Sequence, residues 1–228
     1  MSLSNRNRVS KGYIVNEMHE FNILLESREI FIHGYIDNTD DDPGVEYRMS
    51  NNFIKNISLL TQLNSTDPII IHQHSVGGLW SEGMMIYDAI QTCTAPVVMI
   101  LHGSAISMGS IIPHAADLRV CMPNCWWMVH DGYTEISGCT MKQARSWNEW
   151  EQSLSKQMFE IYTSVCLEHG KFFKGKSEAQ VRSYLKRQLD KKEDWWFTAE
   201  ESVNLGFADA IWGAEGYESL DKIRSHVL

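Results

Sequence analysis

The sequence predicts a single-domain α/β fold with a mainly parallel sheet. Short apolar strands alternate with amphipathic helices along the chain, and this order requires crossover connections between parallel strands. The length of 228 residues fits one domain, with two small domains as the outer limit. A hydrophobic content of 43%, which includes 8 Trp, 8 Tyr and 8 Phe, is enough to fill one core.

The first third of the chain contains one predicted strand and one predicted helix. Residues 1–18 are mostly polar, so we expect a flexible segment ahead of a folded domain that spans 19–228. The segment EIFIHGYI (29–36) predicts the first strand, because it is rich in β-branched and aromatic residues. Past Pro43, apolar residues recur every three or four positions, which predicts an amphipathic helix. These residues are Val45, Met49, Phe53, Ile57, Leu60 and Leu63.

Strands and helices alternate in the middle of the chain. The segment PIIIHQH (68–74) predicts a strand, and a glycine turn after it opens a helix. The segment APVVMILHG (95–103) predicts the next strand, which is followed by a helix from Ser107. Two further short strands are predicted in LRVCMPN and CWWMVHD.

The last third is predicted to be mainly helical. From Met141 to Val165, apolar residues recur at spacings of three and four, which predicts one long helix inside a region of about 132–170. Such a stripe has to be covered, either by its own domain or by another subunit. A polar helical stretch (177–191) and a short final unit, WWFTAEESVNLGFADAI, complete the domain.

The charge balance excludes some classes of partner. Twenty Lys and Arg residues against 29 Asp and Glu residues give a formal net charge of −9. We therefore predict no nucleic-acid partner, because phosphate binding depends on clustered basic side chains. The longest apolar region, 97–112, is interrupted by polar residues, so no membrane span is predicted. The N-terminus lacks an apolar run and predicts no signal peptide.

The cysteines favour a reducing environment. They form an odd, scattered set without a C-x-x-C pair, so we predict neither a disulfide framework nor a metal site. The five positions are Cys93, Cys121, Cys125, Cys139 and Cys166. Buried thiols in a cytoplasmic protein are the interpretation that this pattern favours.

One turn has the features that a nucleophilic serine requires. An apolar strand runs through Gly103 and small residues into Ser107-Met108-Gly109, and a helix follows. A hydroxyl at a strand-to-helix turn is accessible, and backbone N–H groups at the start of the helix can stabilise a developing oxyanion. The turn with Gly77 and Gly78 also follows a strand and can supply a second N–H group, although glycine is equally favoured there for purely structural reasons.

A base and an acid are available, but many side chains compete for these roles. His130 ends the strand CWWMVHD, from which its imidazole can reach the serine turn; a lone histidine there is more often structural. Asp194 precedes WWF, which indicates a partly buried carboxylate that could orient an imidazole. An N-cap role is the alternative for this aspartate.

Three segments, taken together, resemble one known family. They are IHQHSVGGLWSEGMMIYDAI, GSAISMGSIIPHAADLRVCMPNCWWMVHDGY and DWWFTAEESVNLGFADAI. Their motifs occur in the order found in the proteolytic subunit of the ATP-dependent Clp protease, and the resemblance covers about residues 20–213. It implies the ClpP/crotonase-like fold of repeated ββα units, with a projecting handle helix.

The resemblance also implies a role for each candidate residue. It makes Ser107 the nucleophile, His130 the general base and then acid, and Asp194 the orienting carboxylate. Backbone N–H groups of Gly78 and Met108 would form the oxyanion hole. The implied activity is a serine endopeptidase that cleaves unfolded polypeptides through an acyl-enzyme, without a bound cofactor or metal.

Partners follow from the same resemblance. In this family, a helix like that over 141–168 forms a handle between two stacked heptameric rings, and the active sites face an enclosed chamber. An ATP-driven AAA+ unfoldase supplies the chamber, so ATP is used only by that partner. The expected partners are therefore copies of this chain, an unfoldase and unfolded peptide substrate.

The chain departs from the family pattern at several positions. The family's Ser-Pro-Gly-Gly is Ser-Val-Gly-Gly at 75–78. His72 and Thr92 stand where the family often has surface aromatics that receive the unfoldase, so an apolar pocket has become polar. Glu193 replaces a basic residue that pairs between rings. The segment between base and acid is longer than usual, which leaves Asp190 as a second candidate acid.

Three alternative functions are compatible with parts of this pattern. A crotonase-like acyl-CoA enzyme shares the paired oxyanion turns but needs no Ser-His pair. A non-catalytic ring subunit would keep the fold and assemble without cleaving peptides. A processing protease, for instance phage-encoded, would act without an unfoldase, which the polar docking positions favour.

Overall fold

A mainly parallel sheet forms the centre of the molecule. The computed structural model describes residues 11–32, 44–132 and 137–228. Within them the strands are β1 (Ile23–Leu24), β2 (Glu29–Ile32), β3 (Ile69–Ser75), β4 (Val97–Ile106), β5 (Leu118–Cys121), β6 (Trp126–Val129), β7 (Trp195–Phe197) and β8 (Ala210–Ile211). The helices are α1 (Lys11–Phe21), α2 (Tyr47–Leu63), α3 (Trp80–Gln91), α4 (Met108–Ile111), α5 (Met141–His169), α6 (Glu178–Lys192), α7 (Ala199–Leu205) and α8 (Leu220–Arg224).

The strand order is β1-β2-β3-β4-β5-β8, and β6 and β7 branch from the end of β4. Strands β2, β3, β4, β5 and β8 run parallel to one another, whereas β1 and β7 are antiparallel edge strands. The first part of β4 pairs with β5 and its last part, Ser104–Ile106, pairs with β6. The end of β4 therefore lies where two branches of the sheet separate, and Ser107 follows directly. The predicted α/β class with a mainly parallel sheet is confirmed.

Both faces of the central strands are buried. On one face, Ile69, Ile71 and Met99 belong to the larger hydrophobic core, which helices α2 and α3 cover. On the other face, Ile70, Val98 and Ile100 pack with Ile223 of α8. Continuous apolar runs are expected for parallel strands that are covered on both sides.

The strand predicted over 95–103 continues three residues further than expected. Gly103 has a φ of 55°, and a Cβ there would lie 2.7 Å from Nδ1 of His74. The register between β3 and β4 shifts at the same place, between Gln73 and Ser75. Gly103 therefore accommodates an irregularity inside the strand, where its sequence had indicated an end.

The helix predicted from Ser107 is short. It comprises the four residues of α4, and Ile112–Ala115 then form a 3₁₀ turn. Pro113 lies in that turn, and because proline has no N–H group it cannot continue α-helical hydrogen bonding.

The N-terminal region contains a helix that its sequence did not indicate, since Lys11–Phe21 form α1. Residues 1–10 lie outside the described residues, so the flexibility expected for 1–18 stays a prediction. The strand expected over 29–36 is confirmed as Glu29–Ile32, and the rest of that segment lies outside the described residues.

The long helix is confirmed as α5. It begins with a capping box in which Thr140 accepts a hydrogen bond from the Gln143 N–H and the Gln143 side chain accepts one from Thr140. One face of its second half, from Met158 to Cys166, is buried, whereas its first turns are exposed, with Met141 at 81%. Residues 133–136 of the predicted handle region lie outside the described residues. In the described ranges, no helix has the length and apolar character needed to cross a bilayer.

Candidate active site

The backbone of Ser107 is held in an unusual conformation. Its φ of 54° is uncommon for a residue with a side chain and requires support from the surroundings. Its N–H donates to the carbonyl of Met128 at 3.0 Å. Its own carbonyl accepts from the backbone N–H of Ser110 at 2.8 Å and from Oγ of Ser110 at 2.6 Å. The turn is therefore hydrogen-bonded on both sides of the serine.

A buried tyrosine extends this support into α5. The hydroxyl of Tyr162 lies 2.7 Å from Oγ of Ser110. Burial raises the pKa of Tyr162, so its hydroxyl stays protonated and can donate to Ser110, whose own proton goes to the Ser107 carbonyl. The long helix is thereby tied to the serine turn through one side chain.

His130 lies in contact with Ser107. The imidazole Nε2 is 2.8 Å from the Ser107 Oγ, which is hydrogen-bond distance. His130 directly follows β6, and β6 pairs with the segment of β4 that leads into Ser107. Adjacent parallel strands therefore bring the two side chains together at their carboxyl ends.

Asp194 lies on the far side of the imidazole. Its Oδ1 is 3.6 Å from Nδ1 of His130, which is ion-pair range but longer than a hydrogen bond. Its side chain is 55% exposed, so the prediction of a partly buried carboxylate is wrong: Trp195 is buried, but the carboxylate before it reaches solvent. Asp194 follows Glu193, the C-cap of α6, which has a φ of 60°. Asp190, the second candidate acid, lies on α6 and lines the same cleft beside His130.

The turn with Gly77 and Gly78 packs directly against the serine. A Cβ on Gly77 would lie 2.5 Å from Cβ of Ser107 and 3.0 Å from the Met108 nitrogen, so glycine is needed for this approach. The turn is fixed by Val45, whose N–H donates to the Gly77 carbonyl at 2.6 Å and whose carbonyl accepts from Leu79 at 2.8 Å.

These two hydrogen bonds form a parallel β-bridge between Val45 and Gly78, in which the N–H group of Gly78 points away from Val45. Among the described residues, neither that N–H nor the one of Met108 has a hydrogen-bond acceptor. Both residues line the cleft that contains Ser107. Two free donors beside a serine hydroxyl are what an oxyanion hole requires.

Two clefts meet at His130. The cleft that contains Ser107 has a volume of about 540 Å³, and one of its walls is an apolar face of α5 with Trp150, Leu154 and Met158. The second cleft, of about 450 Å³, contains Asp194. A peptide could reach the serine from the first side while the acid stays on the second.

His72 and Thr92 both lie in polar surroundings. His72 on β3 contacts the Glu29 carboxylate at 2.9 Å and Nε2 of His102 at 3.0 Å. The hydrogen bond from His72 lowers the pKa of Glu29 below its usual range. Thr92 caps α3, and its hydroxyl donates to the Asp88 carbonyl at 2.8 Å. The polar character predicted for these positions is present in the fold.

The sequence interpretation missed the residues that support the serine turn. Ser110 lies in a recognisable motif, but nothing in the pattern shows that Tyr162, 52 residues later, reaches it. Val45 was assigned only to an apolar helix face, and it precedes α2 instead. Both contacts are tertiary, and spacing along the chain carries no signal for them.

Comparisons with known proteins agree with this architecture. A family model described as Clp protease matches residues 14–215. The ATP-dependent Clp protease proteolytic subunit 2 of Pseudomonas aeruginosa is 28% identical over 204 residues, which cover 89% of this chain and 88% of the relative. Proteolytic subunit 1 of Salinibacter ruber is 26% identical, with 90% of this chain and 79% of the relative covered.

A solved structure shows the same fold. A ClpP1 mutant from Listeria monocytogenes matches 87% of this chain and 96% of its own chain, with a TM-score of 0.66 and 19% identity. The family model and the relatives of this chain indicate a serine peptidase. Because the family model spans most of its length, this chain belongs to the Clp protease family.

Proposed function

We propose that the chain is a serine endopeptidase in which Ser107 is the nucleophile, His130 the general base and Asp194 the orienting acid. The observation that carries this proposal is the 2.8 Å contact between the Ser107 Oγ and Nε2 of His130, at a turn whose backbone is fixed by hydrogen bonds. The family membership of the chain supports the same assignment.

The geometry supports acyl-enzyme chemistry. Oγ of Ser107 attacks the scissile carbonyl while Nε2 of His130 takes the hydroxyl proton, and the resulting oxyanion accepts hydrogen bonds from the N–H groups of Gly78 and Met108. His130 then gives the proton to the leaving amine, and water releases the acyl group by the same route. Asp194, whose Oδ1 lies 3.6 Å from Nδ1 of His130, stabilises the imidazolium by its negative charge. No cofactor or metal takes part.

The exposed first turns of α5 support assembly. Apolar side chains on these turns, Met141 and Trp147, have no cover within the described residues, and a second copy of the chain would supply it. Stacked heptameric rings with an internal chamber are the proposed assembly. Glu193 requires ring contacts other than a basic-to-acidic pair at this position.

Supply by an AAA+ unfoldase is the first proposal for how substrate arrives. A second candidate, an unfoldase-independent processing protease, is favoured by the hydrogen-bonded His72–Glu29 pair, since a charged and polar pocket binds apolar loops poorly. Casein degradation with and without ATP and an added unfoldase distinguishes the two. The five free thiols agree with the proposed cytoplasmic location.

A fluorophosphonate probe tests the central assignment. We expect covalent labelling at Ser107 and hydrolysis of unfolded casein, with both lost in Ser107→Ala. Ser104→Ala is the matched control, because Ser104 lies on β4 outside the cleft. Labelling that persists in Ser107→Ala, or an unlabelled wild-type protein, would refute the assignment. The latter result would favour a non-catalytic ring subunit or a crotonase-like enzyme, and native mass spectrometry then gives the ring size.

A further inference from the structure

The cleft that contains Ser107 holds an unpaired carboxylate on its apolar wall. Glu151 lies on α5 between Trp150 and Leu154, is half-buried and lines this cleft. Among the described residues, no Lys, Arg or His side chain lies within ion-pair distance of it. Lys156, on the same helix, pairs instead with Glu160 at 3.8 Å. A carboxylate that loses water in an apolar cleft gains from a cation brought by a ligand.

The other charges around the site have the same sign. Asp131 lines both clefts, and Asp190 and Glu193 line the second one together with Asp194. Lys186 is the basic side chain that faces them there, apart from the imidazole of His130. The surroundings of the serine are therefore acidic on both sides, which favours approach of cationic segments.

Glu151 and Met158 line the same wall of the cleft that contains Ser107. The end of α5 near the nucleophile is marked by Tyr162, which hydrogen-bonds to Ser110, and by Met158 in the same cleft. Glu151 lies seven residues before Met158, which is roughly 10 Å along the helix axis. A lysine side chain extends roughly 6 Å from its Cα, and a charge-assisted hydrogen bond adds about 3 Å.

We propose that this cleft selects lysine or arginine as the residue that contributes the scissile carbonyl. The aliphatic part of that side chain lies along Leu154 and Met158, and its cation binds Glu151. Trp150, which is 50% exposed, adds a ring face over which a guanidinium can stack. An uncharged side chain of the same length would fill the apolar wall but would leave Glu151 desolvated without a partner. This inference rests on the proposed peptidase function.

Three peptides that differ only at this residue test the inference. They carry lysine, acetyl-lysine or norleucine, and the readout is kcat/KM together with the cleavage sites found by mass spectrometry in unfolded casein. Because a hydrogen bond to a charged group is involved, we expect roughly 10- to 100-fold preference for lysine over norleucine. The preference should decrease as the ionic strength increases, since part of it is electrostatic.

Two variants of α5 make the test specific. Glu151→Gln should lower kcat/KM for the lysine peptide by about tenfold or more and should not lower it for the norleucine peptide. Glu149→Gln is the matched control, because Glu149 is exposed on the same helix outside the cleft, and it should keep the lysine preference. Glu151→Lys should favour glutamate at this position.

The possible outcomes separate the inference from the function on which it rests. If wild-type protein cleaves norleucine and lysine peptides equally, or if Glu151→Gln keeps the lysine preference, the basic specificity is wrong while the peptidase function stands. If no peptide is cleaved and Ser107 is not labelled by fluorophosphonate, the peptidase function itself is refuted, and the specificity with it.

Discussion

Acid should destabilise this protein through one buried histidine, His114. The residue lies in the 3₁₀ turn after α4 and is packed against the rings of Trp127, Tyr162 and Phe207. Both of its ring nitrogens are buried and have no hydrogen-bond partner among the residues that the structure describes. Burial, reinforced by the positive charge of Arg119, lowers the pKa of His114 well below its ordinary value of 6.5.

The sign of the effect follows from proton linkage. Below pH 6.5 the unfolded state binds a proton at His114 and the folded state does not, so stability is lost as the pH falls through this range. For a folded state that stays unprotonated, the loss relative to pH 8 is about 1.4 kcal/mol at pH 5.5 and about 2 kcal/mol at pH 5.0. For a chain of this size, 1.4 kcal/mol corresponds to a decrease in Tm of roughly 3–6 °C.

The measurement compares stability at pH 8 and pH 5.5 in wild type and His114→Phe. The variant keeps an aromatic ring in the cluster but cannot be protonated, so its loss between the two pH values should be smaller by about 1.4 kcal/mol. Other titrating groups cancel in this difference. The matched control is His19→Phe, since His19 is exposed on α1 and hydrated in both states. Equal acid losses in wild type and His114→Phe would refute the reasoning.

Three further substitutions test other parts of the structure. Gly77→Ala should abolish fluorophosphonate labelling while the protein stays folded, because its Cβ would meet that of Ser107 at 2.5 Å; normal labelling would show that the turn can shift. Tyr162→Phe should lower the free energy of unfolding by about 1 kcal/mol, as measured by urea unfolding. In steady-state kinetics it should lower kcat more than it raises KM, and an unchanged kcat would contradict the positioning role of Tyr162. Asp209→Ala removes the bidentate partner of buried Arg119 and should lower the free energy of unfolding by about 3–5 kcal/mol, whereas a loss below 1 kcal/mol would mean that water replaces the carboxylate.

The central strands and their helices could be predicted because the signals for them lie within short stretches of sequence. Strands β3 and β4 each begin with a continuous apolar run, and the helices after the first two predicted strands show a regular apolar spacing. Helix α1 could not be predicted in this way. Its sequence, KGYIVNEMHEF, has no clear apolar face, and Tyr13 and Val15 remain exposed. Its helical state therefore depends on contacts with β1 that spacing does not reveal.

The serine and histidine of the site could be predicted from the sequence, but the contacts that hold them in position could not. His130 ends a predicted strand, and Ser107 follows another after a short glycine-containing segment, so pairing of the two parallel strands brings them together. The contact of Tyr162 with Ser110 depends on how the end of α5 packs on α4, which is a property of the assembled core. The distance of Asp194 from the imidazole likewise depends on the turn that ends α6, and no motif encodes it.

The attachment of α5 at Tyr162 gives the helix the mechanics of a lever. Tyr162 is the fulcrum, because its ring is buried and its hydroxyl is fixed to Ser110. The tip at Met141 lies 21 residues away, which is roughly 30 Å along the axis. A tilt of about 2° moves such a tip by about 1 Å yet hardly displaces the fulcrum. Contacts made at the tip can therefore adapt to different neighbours without changing the geometry at Ser107.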